Sequence, residues 1–436
     1  MSILKIFQEG EKEILYLPRI KSFEGEVEVI GSKSIANRVL YLASFCAEET
    51  LIYNVPNSDD VQVLLNTFPL MGIECVKEKE KTYRIKGTSI LNLKTNYFNL
   101  ENAGTALRPL VAILSTQKIP YEVVIDGNNQ MRNRPIFDLV EALQKIGVDI
   151  ITSEKGTPPV KIISGEWKNN QIFVSGKTSS QFISALLLAA PLTQKEIEIF
   201  VLDDVVSKPY IDMTIHLMKV FGVDVLNEYY KYFKIPMQRY RSPKEFWIEG
   251  DATAATYFYT AGLVSGPVTV KGLGLSSIQG DIQYIEIIKK IGGIVEAKSN
   301  SITVKKGKSI DGISVDMNAM PDAAMTLAIT GLFSNAPIEI YNVENMRVKE
   351  SERIKGLCNE LSKFGAEVEE KKDGLKVYPP KKILSKPRIE TYKDHRMAMA
   401  FSLGSFLTDL EIIDPNCVSK TYPDYFFDFS KICRNS

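Results

Sequence analysis

The chain has 436 residues, enough for two or three domains with sizeable cores. It is 44% hydrophobic and 24% charged, and Lys plus Arg matches Asp plus Glu at 53 each, so no overall field attracts nucleic acid or an anionic membrane. Any affinity for anions has to come from local clustering.

Residues 1–10 are charged and lack the apolar core of a signal peptide, and the longest apolar run, 183–192, is too short to span a bilayer. Five scattered cysteines show no metal-ligand spacing and leave one unpaired, which fits a reducing compartment. These features predict a soluble, cytoplasmic protein with neither a nucleic-acid nor a membrane partner.

The first informative stretch is Gly31-Ser-Lys-Ser-Ile-Ala-Asn-Arg38, between a strand-like run at 27–30 and a helix-like run at 36–43. A glycine turn entering a helix leaves backbone N–H groups unpaired at the positive end of the helix dipole. Lys33, Ser34 and Arg38 add two cations and a hydroxyl there, a corner that suits a phosphate or carboxylate. Taken alone, the same residues read equally well as a polar loop with two solvated cations.

Two phrases then recur along the chain. In one, an amphipathic helix runs into a glycine and then a strand: 64–76 around Gly72, 139–150 around Gly147, 215–225 around Gly222, 285–295 around Gly292 and 357–368 around Gly365. The spacing, roughly 70 to 75 residues, marks an internal repeat, and each glycine stands where a helix C-cap is expected. In the other, a small polar residue precedes an Ala-rich apolar helix, with starts at Ser32, Asn102, Ser179, Asp251, Asp322 and Asp394. Helices apolar around most of their circumference are buried. N-capping by itself accounts for a Ser, Asn or Asp at all six starts. Six buried helices in two sets of three predict an α/β protein of two similar domains, 31–248 and 1–30 with 249–436.

Some stretches carry more charge than capping needs. Arg132 and Arg134 lie in a turn-rich loop before a helix opened by Pro135. Residues 345–353 place three cations and two carboxylates at what reads as a single helix start, with Lys349 and Arg353 on one face and Glu350 alongside. A salt-bridged surface helix is the plainer explanation of that pattern. Asp394-His-Arg396 precedes the last buried helix, Lys420 sits in a loop, and His216, inside an amphipathic helix, reads as structural.

Together these stretches resemble the 5-enolpyruvylshikimate-3-phosphate synthase family of enolpyruvyl transferases (3-phosphoshikimate 1-carboxyvinyltransferases). The resemblance covers about residues 27–426 and rests on Gly31-Ser-Lys-Ser, Asn102-Ala-Gly-Thr-Ala, Met131-Arg-Asn-Arg-Pro, Ser179-Ser-Gln-Phe and Ser207-Lys-Pro-Tyr-Ile-Asp. It continues through Glu249-Gly-Asp-Ala, Pro321-Asp-Ala-Ala-Met-Thr, Arg347-Val-Lys-Glu-Ser-Glu-Arg, Asp394-His-Arg-Met-Ala-Met and Lys420-Thr-Tyr-Pro-Asp-Tyr.

The resemblance implies two domains, each of three βαβαββ units around buried helices, closing over a cleft. It implies transfer of the enolpyruvyl group of phosphoenolpyruvate to the 5-hydroxyl of shikimate 3-phosphate, a step of chorismate and aromatic amino acid biosynthesis, with no metal and no cofactor. The partners would be small anionic substrates, and the protein a monomer. By the same resemblance, Lys33, Ser34, Arg38, Ser179, Ser180, Gln181, Ser207, Tyr210, Asp322, Asn345 and Lys349 would hold shikimate 3-phosphate. Lys33, Gly104, Arg134, Gln181, Arg353, Arg396 and Lys420 would hold phosphoenolpyruvate, a site that the inhibitor glyphosate occupies in this family. Asp322 would take the proton of the attacking hydroxyl, Glu350 would exchange the proton on the methylene carbon, and Lys33 would assist the leaving phosphate.

Four positions depart from the family pattern: Ile30 for a proline, Glu101 for a glycine, Met346 for a tryptophan and Ala254 for a serine. Glu101 puts an acid beside an anion-binding turn. The alternatives are the related transferase acting on UDP-N-acetylglucosamine, and a non-catalytic anion-binding protein on the same scaffold. The first usually carries a reactive cysteine in the loop corresponding to 128–134, which has none here. Anion binding alone has no use for carboxylates such as Asp322 and Glu350.

Overall fold

A computed structural model describes residues 4–434 other than Ser89 and Pro120. The chain divides into two compact units, an inserted unit of 31–248 and a split unit of 1–30 with 249–436. Among the described residues, six four-stranded sheets share one plan, three to each unit.

One repeat shows how the plan arises. Strand Gln171–Val174 leads into the buried helix Ser180–Ala189 and returns as Ile197–Val201, parallel to the first strand because a helix crosses between them. The outer helix Pro209–Val220 follows, then the hairpin Leu226–Glu228 and Tyr232–Ile235, whose second strand pairs antiparallel with Ile197–Val201. The alternation in Ile197–Val201, buried at 197, 199 and 201, turns one face of the sheet to the helices.

The six inner helices are Lys33–Ser44, Gly104–Ser115, Ser180–Ala189, Ala252–Val264, Ala324–Thr330 and His395–Ser402. They are buried on nearly every residue, as their all-round apolar sequences require. All five repeat glycines adopt left-handed φ, from 80° at Gly72 and Gly222 to 99° at Gly292, the conformation that closes a helix without a Cβ penalty. After Gly222 the strand begins at Leu226, two residues later than in the other four repeats.

The sixth repeat has no glycine phrase because its hairpin comes from the other end of the chain. Lys5–Glu9 and Lys12–Leu17 complete the sheet of Leu410–Ile413 and Arg388–Glu390, with Ile14 opposite Ile413. Strands are also exchanged at the chain crossings. Gly25–Glu28 precedes the helix Lys33–Ser44 but pairs with Val268–Lys271 in the split unit. Glu245–Trp247 precedes the helix Ala252–Val264 but pairs with Glu49–Tyr53 in the inserted unit. No helix among the described residues is long and apolar enough to cross a membrane.

Candidate active site

In the inserted unit the charged residues gather at the N-terminal ends of its inner helices. Ser32 caps the helix Lys33–Ser44, accepting from the Ile35 N–H, and Gly31 packs so closely on the Asn54 carbonyl that no side chain fits there. Lys33 is buried and pairs with Asp60 at 2.9 Å. Arg38, also buried, spans two helices: Nε donates to Thr214 Oγ1 at 2.7 Å, Nη2 to the Tyr210 carbonyl at 3.2 Å and Nη1 to the Ser34 carbonyl at 2.8 Å. Burial lowers its pKa to about 10, so it stays a cation at neutral pH. Ser179 caps the helix Ser180–Ala189 by accepting from the Gln181 N–H, and Ser180 is buried in its first turn. Ser207 takes a left-handed φ of 55° just before the helix that carries Tyr210, local strain of the kind that accumulates at functional sites.

A second knot in this unit surrounds Gly104. Arg134 is buried and donates to Asn102 Oδ1 at 3.2 Å, while Arg108 donates to Gln181 Oε1 at 3.0 Å and to the Pro135 carbonyl at 3.1 Å. A Cβ on Gly104 would run into Arg108 Nη1 and lie 3.0 Å from Arg134 Nη1. Glycine is therefore what lets two guanidinium groups crowd onto one helix start. Arg132, by contrast, is turned to Asp126, with Nε donating at 3.0 Å. Glu101 is exposed and accepts from Asn99 Nδ2 at 2.6 Å, directed along its own turn, with φ at 47°.

In the split unit the centre is Asp322. Its Oδ1 accepts from Arg353 Nη1 at 2.7 Å and Lys349 Nζ at 3.2 Å, and its Oδ2 pairs with Arg396 Nη2 at 2.9 Å. Burial alone would raise the carboxyl pKa, but Arg396, Lys349 and Arg353 outweigh it and hold Asp322 well below the usual carboxylate range. Lys349 is shifted down by its own burial, partly offset by Asp322. Arg353, 1% exposed, also binds Glu350 at 2.9 Å and Asp394 at 2.8 Å, so one guanidinium holds three carboxylates. Those carboxylates keep it charged although burial alone opposes that. The Tyr257 hydroxyl lies in the field of Arg396, with burial pushing its pKa up to about 12. Lys420 is buried at the end of the 3-10 turn Pro415–Lys420, which packs on the helix His395–Ser402, and Asn345 lies in the turn Glu344–Val348.

Two sequence expectations need correction. Capping explains Ser32, Ser179, Asp251 and Asp394, each of which accepts from a backbone N–H in the first turn of its helix. It fails for Asn102 and Asp322, whose helices are capped by Ala103 and Ala323 without side-chain help. Both side chains are drawn off by cations, Arg134 and the Asp322 triad. Residues 345–353 are also not one helix start. The turn ends at Lys349 with ψ at −142°, and a new helix, Arg353–Ser362, begins beyond it with Glu352 as its cap. Lys349 and Arg353 reach the same oxygen from separate elements rather than along one helix face. Arg347 alone fits the salt-bridged surface pattern, on Glu352 and Glu370.

Sequence reading missed Asp60, Arg108 and Asp281. Asp281 is 2% exposed and accepts from Thr253 Oγ1 at 2.9 Å; burial lifts its pKa to about 6, with Asp322 adding to the rise and Arg396 opposing it. Nothing in local sequence marks a carboxylate as the partner of a lysine 27 residues away. His216 is exposed on its helix, and Ala254 and Met346 are buried where apolar side chains fit. Among the described residues no group of His, Cys, Asp and Glu is arranged to hold a metal ion.

A family model described as EPSP synthase (3-phosphoshikimate 1-carboxyvinyltransferase) matches residues 18–429. The chain belongs to the EPSP synthase family. Among its EPSP synthase relatives, the 3-phosphoshikimate 1-carboxyvinyltransferase of Buchnera aphidicola subsp. Cinara cedri is 42% identical over 433 residues, 98% of each chain. That of Mannheimia succiniciproducens is 41% identical over 430 residues, 96% of this chain and 99% of the relative. The EPSP synthase structure from Acinetobacter baumannii superposes with a TM-score of 0.80 at 24% identity, over 97% of this chain and 98% of that one. The enolpyruvyl transferase NikO from Streptomyces tendae superposes with a TM-score of 0.73 at 14% identity, over 97% of both chains. The fold is the two-domain enolpyruvyl transferase fold.

Proposed function

We propose that this chain transfers the enolpyruvyl group of phosphoenolpyruvate to the 5-hydroxyl of shikimate 3-phosphate, releasing phosphate. The observation that carries the chemistry is Asp322, a carboxylate kept ionised by three cations, with Glu350 on the same Arg353. Full-length relatives named for this reaction support the choice of substrates.

Two anions must be held together, so the binding residues are cations and helix starts. Lys33, Ser34, Arg38, Ser179, Ser180, Gln181, Ser207, Tyr210, Asp322, Asn345 and Lys349 hold shikimate 3-phosphate. Arg134, Arg353, Arg396 and Lys420, with Lys33 and Gln181, hold phosphoenolpyruvate, and Gly104 leaves room for it. Guanidinium forks match carboxylate and phosphate geometry. Glu350, entering the step in its protonated form, delivers a proton to the methylene carbon, which makes the neighbouring carbon electrophilic. The 5-hydroxyl adds there, and Asp322 takes its proton. In the second half the methyl group returns a proton to Glu350, the bond to the phosphate oxygen breaks, and Lys33 offsets the charge of the departing phosphate.

With Arg396, Lys349 and Arg353 all turned on it, Asp322 is a weak base. Substrate anions that draw on Lys349 and Arg396 raise its basicity, which ties proton removal to the presence of both ligands. We take the enzyme to act in the cytoplasm as a monomer. The test is phosphate release on mixing purified protein with both substrates, with neither alone sufficient. No release with shikimate 3-phosphate, or release with UDP-N-acetylglucosamine instead, overturns the assignment.

A further inference from the structure

Arg132 stands out in the sequence as a cation beyond what its loop needs, and no step of the proposed reaction uses it. Its guanidinium reaches back to Asp126: Nε donates to Oδ1 at 3.0 Å and Nη2 to Oδ2 at 2.5 Å, the two-pronged geometry that a planar fork favours. Asp126 ends the strand Val123–Asp126 and is 3% exposed, although Arg132 lies at the surface. The carboxylate also accepts from the Gly127 N–H at 2.8 Å and the Tyr97 hydroxyl at 3.3 Å. Burial alone would raise its pKa, but Arg132 and the Gly127 N–H outweigh that and hold it below the usual carboxylate range. The pair closes 126–132 into a loop, and Arg134 leaves that loop just beyond the closure. Its N–H donates to the Met131 carbonyl at 3.0 Å across the 3-10 turn Met131–Asn133. The loop is also tied to the turn that precedes Gly104: the Asn128 N–H donates to the Glu101 carbonyl at 3.1 Å, and Asn102 Nδ2 donates to Gln130 Oε1 at 3.1 Å. Asn102 Oδ1 in turn accepts from Arg134 Nη1 at 3.2 Å, so one loop supplies both Arg134 and the group that orients its acceptor.

We propose that Asp126 and Arg132 are a positioning pair for Arg134: their two-pronged bond braces the loop so that Arg134 holds its guanidinium at Gly104, ready for an anionic substrate. The idea rests on the reading above that Arg134 grips phosphoenolpyruvate. Of residues 128–133 only Met131 is buried, so packing does little to fix this turn, and a segment with few buried contacts opens readily. An ion pair between two exposed side chains would add little rigidity. Here the carboxylate is buried at the end of a strand and its oxygens are fully engaged, so Arg132 is fastened to a rigid element rather than to another mobile side chain.

Steady-state kinetics on wild type, Arg132→Ala, Arg132→Lys, Asp126→Asn and the Asp126→Asn, Arg132→Ala double variant test this. Arg132→Ala should raise KM for phosphoenolpyruvate roughly 10-fold, the scale of a charge-assisted pair. Asp126→Asn, which keeps the shape, should do much the same, with kcat and KM for shikimate 3-phosphate within about 2-fold of wild type in both. Arg132→Lys, which has the charge but not the fork, should fall between Arg132→Ala and wild type. The double variant should be no worse than the worse single one, because both substitutions remove the same interaction. Effects that multiply overturn the proposal. So does an unchanged KM in Asp126→Asn, which would mean that Arg132 acts on the ligand without its carboxylate. An equal rise in both KM values with a fallen melting temperature, the sign of a merely structural role, overturns it as well. If Arg132→Ala does not fold, Asp126→Asn and Arg132→Lys decide by the same criteria. Wild type that releases no phosphate at all removes the functional reading and this proposal together, whereas an active wild type with indifferent Asp126→Asn and Arg132→Lys variants removes this proposal alone.

Discussion

Asp322 accepts from Arg353 and Lys349 on one oxygen and pairs with Arg396 on the other, an arrangement that sets both its charge and its use. Asp322→Asn keeps the shape and removes the proposed base, so turnover should fall roughly 100-fold or more with ligand binding largely kept. Turnover within a few-fold of wild type would show that another group takes the proton. The same residue has a stability signature. Its folded pKa lies below the unfolded value of about 4, so its contribution is full above that pH and is lost as pH falls through the folded pKa. Gly104 tests the inserted unit in the same way. A methyl at Gly104 displaces Arg108, which holds Gln181, and presses on Arg134. Overpacking of about 1–3 kcal/mol corresponds to roughly 5- to 150-fold in binding. Gly104→Ala should therefore weaken glyphosate, the longer molecule, more than phosphoenolpyruvate, while wild type is inhibited in competition with phosphoenolpyruvate. Glu101 does not oppose this, because its carboxylate is exposed and engaged by Asn99. Kinetics showing wild-type insensitivity far above KM for phosphoenolpyruvate would count against it.

At the scale of elements, the break between the turn Glu344–Val348 and the helix Arg353–Ser362 makes the carboxylate cluster possible. A continuous helix would carry Lys349 and Arg353 along one face as a surface pair. The break lets Lys349 approach from the loop while Arg353, at the first helical position, turns inward. Glu352 holds that helix start, accepting from the Lys355 N–H at 2.8 Å and from Arg347 Nη1 at 3.0 Å. Replacing a cap typically costs about 0.5–2 kcal/mol. Glu352→Ala should lower stability by about that much in denaturant unfolding, and should raise KM for phosphoenolpyruvate by loosening Arg353. A variant with unchanged stability and kinetics would show that burial of Arg353, not the cap, fixes its position.

For the whole molecule, the chain order and the sheet order differ at the crossings. The inserted unit is continuous and owns all the strands of its sheets, including Glu245–Trp247. The C-terminal part of the split unit does not: residues 1–30 supply strand Gly25–Glu28 to one of its sheets and the hairpin Lys5–Glu9 and Lys12–Leu17 to another. A fragment of 31–248 should therefore fold cooperatively, while 249–436 should not unless a 1–30 peptide is added. Circular dichroism and thermal melts of the fragments decide it. A cooperative melt for 249–436 alone would show that the N-terminal strands are dispensable.

The sequence by itself determined the repeat, since apolar periodicity and recurrent glycines are local properties of the chain. Gly72, Gly147, Gly222, Gly292 and Gly365 all turned out left-handed, and the six apolar helices are buried. The family was legible for a related reason: its motifs are short and contiguous. Tertiary structure decided the pairings. Ser32 and Asp251 cap their helices, whereas Asn102 and Asp322, at matching places in the repeat, are claimed by arginines from other elements. Asp60 beneath Lys33, Arg108 beneath Gly104 and Asp281 near Arg396 likewise emerge only in the fold. A cap is satisfied within one helical turn and can be read from neighbours in sequence, but a buried charge finds its counter-charge wherever packing brings one.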